Sequence, residues 1–378
     1  MASNDPLKKH KDLGGKISIK LKSAVNSAED LSTYYTPGVA KVSEYIRDNP
    51  GEARDYTWIN NSVAIISDGS SVLGLGNIGP RASLPVMEGK SMLFKQFADI
   101  DAVPIVLDVH SADEIVNTVK AIAPGFGGIN LEDIAAPICF EVEERLKKEL
   151  DIPVMHDDQH GTAIVVLAGL INALSIVGKQ LSDCRIVVNG TGSAGVAIIK
   201  LLKKYAPKVT ILALDSQGLV CKDRENLTAV KQGLIDEGLI LTETRGDLAQ
   251  ALAGSDIFIG VSKGNILTAE MVKKMNKDPI IFAMANPEPE IMPDIAKKAG
   301  AAIVATGRSD FPNQVNNALA FPGVFRGALD NKVKAITDDH KIAAAEVIAG
   351  LVANPTPDEI IPSIFDKRLV PAIAKVIV

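Results

Sequence analysis

Arg185-Ile186-Val187-Val188-Asn189-Gly190-Thr191-Gly192-Ser193-Ala194-Gly195-Val196 is the stretch on which the fold turns. Arg185 to Asn189 reads as a buried strand and Val196 to Tyr205 as a helix, so the three glycines fall on the turn between them. A second apolar run, Val209 to Leu214, follows and is closed by Asp215. A strand, a glycine turn, a helix and a strand with an acid at its tip about 20 to 25 residues on form the dinucleotide fingerprint. Gly190 permits the tight turn, Gly192 lets backbone amides approach a pyrophosphate, and Gly195 lets helix and strand pack closely. Thr191, Ser193 and Ala194 complete a loop that presents a helix N-terminus to the phosphates. Asp215 is placed to accept hydrogen bonds from ribose hydroxyls, and its charge opposes a 2′-phosphate, which favours NAD over NADP.

Working outward, Asp256 to Gly260, Ile280 to Ala283 and Ala302 to Ala305 read as further strands of the same sheet. Loops at the carboxyl ends of such strands meet the ligand, which places Asn286 and the polar stretch Arg308 to Asn317 within reach of cofactor or substrate. Upstream, the strands Val63 to Ile66, Val103 to Leu107 and Ile129 to Leu131 alternate with the helical patterns Ala112 to Ala123 and Ile138 to Leu150. Such alternation makes that half α/β as well. The expected architecture is an N-terminal α/β domain over residues 1–160, a Rossmann-type doubly wound parallel sheet over 161–325, and a C-terminal helical return over 326–378. A chain of 378 residues is long enough for two cores.

Gly74, Gly76 and Gly79 also match the glycine fingerprint. Pro80 and Pro85 follow, no helix-length pattern begins, and the match reads as a tight turn rather than a nucleotide site. Lys90, beside Gly89, then falls near a helix start; a lysine taken singly is a solvated one.

The densest chemistry is Met155-His156-Asp157-Asp158-Gln159-His160-Gly161-Thr162-Ala163. Ile152 to Met155 reads as a strand and Thr162 to Val177 as an apolar helix, so the acidic pair stands at a strand-to-helix junction. A second pair, Glu132-Asp133, lies just after the turn Gly125-Phe126-Gly127-Gly128. Oxygen donors from Glu132, Asp133 and Asp158 suit Mg²⁺ or Mn²⁺; the bland alternative is two solvated acidic turns. A zinc-protease reading of His156 to His160 fails, because that motif needs both imidazoles on one face of a continuous helix.

Composition narrows the partners. An excess of 46 acidic over 40 basic residues, with no Lys/Arg block, argues against nucleic acid and for a small molecule. Cys139, Cys184 and Cys221 are far apart and form no CxxC, which favours a reducing compartment, the cytoplasm. Residues 1–11 are polar and lack a signal-peptide core. Ala163 to Val177 is shorter than the ~20 residues a membrane span needs and reads as a buried helix.

Tyr35-Thr36-Pro37-Gly38-Val39-Ala40, taken alone, is a capped turn before a helix. Together with Met87-Glu88-Gly89-Lys90, Leu131-Glu132-Asp133, His156 to Ala163 and Asn316-Asn317, in this order, it resembles the malic enzymes over nearly the whole chain. The length is similar to their short bacterial form. That resemblance implies oxidation of (S)-malate with NAD or NADP and decarboxylation of the oxaloacetate formed, giving pyruvate and CO₂. It implies Lys90 as the base for the C2 hydroxyl, Tyr35 as the acid that protonates C3 of enolpyruvate, and Asp157 as the residue that orients Lys90. Glu132, Asp133 and Asp158 would hold Mn²⁺ or Mg²⁺, and Asn286 and Asn317 would contact substrate and nicotinamide. It also implies a homodimer. A lysine serves as a base only if its pKa falls, and a nearby dication has that effect. Ser70-Ser71 follow Asp68-Gly69 where longer relatives carry an arginine; Arg81 is the available substitute as a carboxylate clamp. Three alternatives remain open at this point: malolactic-type decarboxylation with NAD retained, an amino-acid dehydrogenase, and a non-catalytic nucleotide-binding regulator.

Overall fold

The computed structural model describes residues 5–243 and 245–378; the polar reading of residues 1–4 lies outside them. Four helices, α1 (Pro6–Leu13), α2 (Ala28–Tyr34), α3 (Gly38–Asp48) and α4 (Ala53–Tyr56), precede the first sheet. No residue of these four helices is buried.

The first sheet comprises β1 (Ser62–Ser67), β2 (Asp101–Val106), β3 (Gly128–Leu131) and β4 (Val154–His156), in the order β2-β1-β3-β4 and all parallel. Helices α5 (Gly79–Ala98), α6 (Ala112–Ile122) and α7 (Ile138–Glu149) make the crossovers. All six residues of β1 are buried, as a strand covered on both faces requires. Ser111 and Glu114 form a reciprocal cap that starts α6 where the sequence pattern does.

One expectation fails in this half. The Gly74–Gly79 segment does turn, through a bridge between Val72 and Gly76, but a helix of 20 residues begins at Gly79 itself. Pro80 occupies the first helical turn, where a missing N–H costs nothing. Pro85 lies inside the helix, and its carbonyl is taken by Lys16 Nζ at 2.5 Å. Lys90 therefore sits in the middle of α5 rather than at its start.

The helix α8 (Asp157–Val177) joins the halves. It starts five residues before Thr162 because Gly161 is accommodated within it: a Cβ there would meet the Asp157 carboxylate and Asn317. At 21 residues it is long and apolar enough to cross a membrane, contrary to the expected length, but two thirds of that window is buried against the rest of the protein. A helix apolar all round belongs in a core, and α8 packs chiefly on α9 (Ser193–Tyr205) and α15 (Asp338–Gly350).

The second sheet holds β5 (Arg185–Asn189), β6 (Thr210–Asp215), β7 (Gly218–Leu219), β8 (Ile257–Gly260), β9 (Ile280–Ala283) and β10 (Ile303–Thr306). Its order is β10-β9-β8-β5-β6-β7, parallel except for β7. The order reverses at β5, where the glycine turn lies, and such a switch point opens a ligand crevice. Short helices α10 (Ala229–Asp236), α11 (Leu248–Leu252), α12 (Ala269–Val272) and α13 (Pro293–Lys298) fill the crossovers.

The last helices, α14 (Phe321–Asp330), α15 and α16 (Leu369–Ala374), return to the first half. Phe94 of α5 meets the rings of Phe321 and Phe325 of α14 edge-on, with centroids 4.7 and 5.4 Å away. One apolar cluster thus runs from Met87 and Phe94 through α8 into the second sheet.

Candidate active site

Register brings the two acidic pairs together. Leu131 of β3 pairs with His156 of β4, so Glu132-Asp133 and Asp157-Asp158 leave neighbouring strands side by side. Lys90 reaches them from α5. Its Nζ lies 2.6 Å from Asp157 Oδ2 and 2.8 Å from Glu132 Oε1, and 4.4 Å from the centroid of the Phe321 ring. Only 7% of Lys90 is exposed, so this ammonium is held by the two carboxylates and the ring rather than by water.

Burial opposes the charge on Lys90, but Asp157, Glu132 and Asp158 outweigh it and hold the ammonium above the usual lysine range. Burial raises Asp157 to about 6, against the pull of Lys90. Burial, with Asp158 and Glu132 as neighbours, pushes Asp133 up to about 9. Glu132 and Asp158 are also raised, with burial the main cause. The carboxylates outnumber the single ammonium, so the cluster calls for further positive charge.

Glu132, Asp133 and Asp158 each offer an oxygen within 4.8 Å of the others, and could hold a hard divalent cation. Asp133 Oδ2 is buried without a hydrogen-bond partner, a donor left to spare. Asp133 N–H donates to Asp158 Oδ2 at 2.8 Å, and Asn130 Nδ2 to Glu132 Oε2 at 3.0 Å, so both carboxylates are oriented. Among the described residues the group consists of three carboxylates, with neither a thiol nor an imidazole in it, and such an oxygen donor set fits Mg²⁺ or Mn²⁺ better than a softer ion.

Behind the cluster, Glu143 of α7 accepts the His156 backbone N–H at 2.9 Å and pairs with His160 Nε2 and Lys147 Nζ, each at 2.8 Å. It anchors the entry to α8, whose N-cap has no side-chain cap of its own. Sequence reasoning missed Glu143, Asn130 and Phe321. Acidic and amide side chains two or thirteen residues from the motif carry no pattern, and Phe321 comes from a distant helix.

The nucleotide crevice is formed as its glycines require. Gly190 has φ +113°, and a side chain there would run into the Val261 carbonyl. Gly195 packs on the Gly190 carbonyl. Gly192 precedes α9, no side chain caps that helix, and the Thr191 hydroxyl is buried without a partner. Ser193 and Ala194 open α9, so the first-turn amides suit a pyrophosphate.

Asp215 stands at the tip of β6 but is already engaged. Arg224 donates to both of its oxygens, at 2.9 and 3.0 Å, and Lys231 Nζ lies 2.6 Å away. Burial would raise this carboxyl; Arg224, Lys231 and the Gln217 amide outweigh that and bring it to about 2. Any ribose hydroxyl shares Asp215 with two cations, whose only sequence signal is their position 9 and 16 residues beyond it.

Asn286 follows β9 with its amide beside Gly307, and its carbonyl fills the space where Gly74 would carry a side chain. The first glycine turn therefore touches the second half at the cleft. Asn317 lies against Gly161 in the first turns of α8. Lys90, Asp157, Glu132, Asp133, Asp158 and Asn317 are thus brought to one place. Tyr35 is not among them: 66% of it is exposed, on the helices that bury nothing. Arg81 is exposed in the first turn of α5.

The chain matches two family models, the malic enzyme N-terminal domain over residues 14–147 and the malic enzyme NAD binding domain over residues 159–377. The bifunctional malic/malolactic enzyme of Bacillus subtilis is 54% identical over 97% of this chain and 90% of its own length. The NAD-dependent malic enzyme of Geobacillus stearothermophilus is 51% identical over 97% of this chain and 76% of its own. The crystal structure of an NAD-dependent malic enzyme from Thermotoga maritima superposes with a TM-score of 0.95 at 47% identity, covering 99% of both chains.

Proposed function

This chain belongs to the malic enzyme family, and from that premise we infer that it oxidises and decarboxylates (S)-malate to pyruvate and CO₂ with reduction of NAD(P). The observation that carries this reading is the buried Lys90 ammonium clasped by Asp157 and Glu132 beside three oxygen donors. Within it, Lys90 is the base for the C2 hydroxyl and Asp157 holds its Nζ in place. Phe321 closes the remaining side of Lys90 against water. Glu132, Asp133 and Asp158 hold the cation, Mn²⁺ or Mg²⁺; Asn286 and Asn317 contact malate and the nicotinamide; Gly190 to Gly195 cradle the pyrophosphate. When bound, the cation supplies Lewis-acid polarisation at the C2 oxygen and the nucleotide accepts the C2 hydride. With a cation there, Glu132 and Asp158, two of the three carboxylates that hold Lys90 as an ammonium, are neutralised; the lysine pKa is lowered toward that of a base, with Asp157 left as its charged partner.

Tyr35 remains the acid for C3, and its exposure supports a homodimer in which a second copy covers α1–α3 and receives Tyr35. Leu7, Ile19, Leu21 and Tyr34 are more than half exposed on the same segment, an apolar surface that a partner would cover. We further read residues 1–160 as the substrate and metal domain, 161–325 as the nucleotide domain and 326–378 as the return. The cytoplasm suits three free cysteines.

The test is absorbance at 340 nm with malate, Mn²⁺ and either nucleotide, with EDTA and with Lys90→Ala as controls. Metal-dependent reduction lost in Lys90→Ala supports the assignment. The name of the Bacillus subtilis relative favours a second reading, malolactic decarboxylation with NAD retained. Malate consumption without NADH would establish that one.

A further inference from the structure

Glu290, in the loop Asn286-Pro287-Glu288-Pro289-Glu290 after β9, has no place in the chemistry above, yet it is completely buried. Its Oε2 accepts the Ala285 N–H at 3.0 Å and its Oε1 the Ser262 N–H at 3.2 Å. The influences on it are burial and backbone N–H groups, with no cationic side chain among them; burial lifts its carboxyl to about 7. Gly260 lacks a side chain where a Cβ would fall on this carboxyl group. Ser262 Oγ in turn takes the Asn189 amide at 2.6 Å, and Asn189 is the last residue before the glycine turn. Through these bonds Glu290 spans the carboxyl ends of β9, β8 and β5, along the edge of the crevice.

An unpaired buried carboxyl is expensive and persists where a precise geometry is required. Only a carboxylate offers an acceptor at both oxygens to two donors; glutamine would turn an NH₂ toward one of them. We propose that Glu290 is a positioning residue for the reaction. It fixes the spacing of the loops after β8 and β9, so that Asn286 on one side and the glycine turn on the other keep a single geometry toward malate and nucleotide. This rests on the reading of Asn286 and Gly190 to Gly195 given above.

The test is Glu290→Gln in the full chain, checked for a cooperative unfolding transition. NADH binding is read from NADH fluorescence, malate kinetics from initial rates, and Mn²⁺ affinity by calorimetry. Weaker NADH binding and a higher malate KM, each by roughly tenfold, with kcat changed less and Mn²⁺ affinity unchanged, are expected. A fall in kcat alone, or unchanged Kd and KM, overturns the proposal. Ser262→Ala keeps both backbone bonds and removes only the link to Asn189, so it is expected to weaken NADH binding about threefold with malate KM unchanged. Unchanged NADH binding there overturns the role toward the glycine turn, even if Glu290→Gln does not fold. Should the wild type bind NADH but leave malate untouched, the proposed function fails while the NADH measurements still decide on Glu290.

Discussion

Lys90 and Asp157 meet at 2.6 Å although one is borne by α5 of the first sheet's crossover and the other opens α8. Asp157 has no exposed surface, so removing it leaves a buried ammonium with Glu132 as its remaining close anion. Asp157→Ala is expected to lower kcat by about 10²-fold and to cost on the order of 3–5 kcal/mol in unfolding free energy. Lys90→Ala is expected to lower kcat by at least about 10³-fold with NADH binding kept. Turnover surviving Lys90→Ala would remove Lys90 as the base.

Metal dependence can be read without turnover. Asp158→Asn removes the charge and one of the two oxygens, so a single oxygen is left for both the Asp133 N–H and the cation, and Mn²⁺ binding is expected to weaken at least about tenfold by calorimetry. Equal Mn²⁺ affinity in wild type and variant would take the cation away from this cluster.

If Tyr35 serves a partner's site, two inactive variants can restore one another. Tyr35→Phe and Lys90→Ala dimers, unfolded and refolded together, form hybrids in which one site carries both changes and the other neither. About a quarter of wild-type activity is then expected from random pairing in a two-fold dimer. A mixture as inactive as its components would put Tyr35 in its own subunit's site.

Asp215 balances Arg224 and Lys231. Asp215→Asn leaves both cations uncompensated next to the ribose, and is expected to raise the NADP to NAD ratio of kcat/KM about tenfold. A ratio that falls or stays fixed would locate nucleotide choice elsewhere.

Glu290 supplies a pH dependence away from the carboxylates around Lys90. Its folded pKa, about 7, lies above the ordinary 4.5, so ionising it costs more in the fold than in the unfolded chain, although the two N–H groups favour the carboxylate. Its contribution to stability is complete below about pH 4.5 and declines as pH rises through 7. Unfolding midpoints measured from pH 5 to 8 are expected to fall further in the wild type than in Glu290→Gln, by the equivalent of about 2–3 kcal/mol. Parallel curves would mean that Glu290 ionises freely in the native protein.

What was legible in the sequence follows from how local each signal is. The strand-turn-helix around Gly190 could be read because glycine positions, apolar runs and the tip acid all lie within one supersecondary unit. The convergence of Glu132, Asp133 and Asp158 could be read because each acidic pair sits at a strand end. The length of α5 was not legible, since Pro80 and Pro85 read as breakers, whereas the first turn forgives the missing N–H of Pro80 and the helix continues through Pro85. The salt bridges of Asp215 and the buried bonds of Glu290 were not legible either. Both depend on which loops the second sheet sets side by side, and no periodicity reports that.

Helix α8 leaves one consequence. It is an unbroken rod whose first residue, Asp157, touches Lys90 and whose flank lies on α9, the helix that follows the glycine turn. Helical rise is fixed at about 1.5 Å per residue, so the rod acts as a gauge block between Lys90 and the glycine turn. The distance between the carboxylate cluster and the glycine turn is thereby set by one continuous helix rather than by the loops around it.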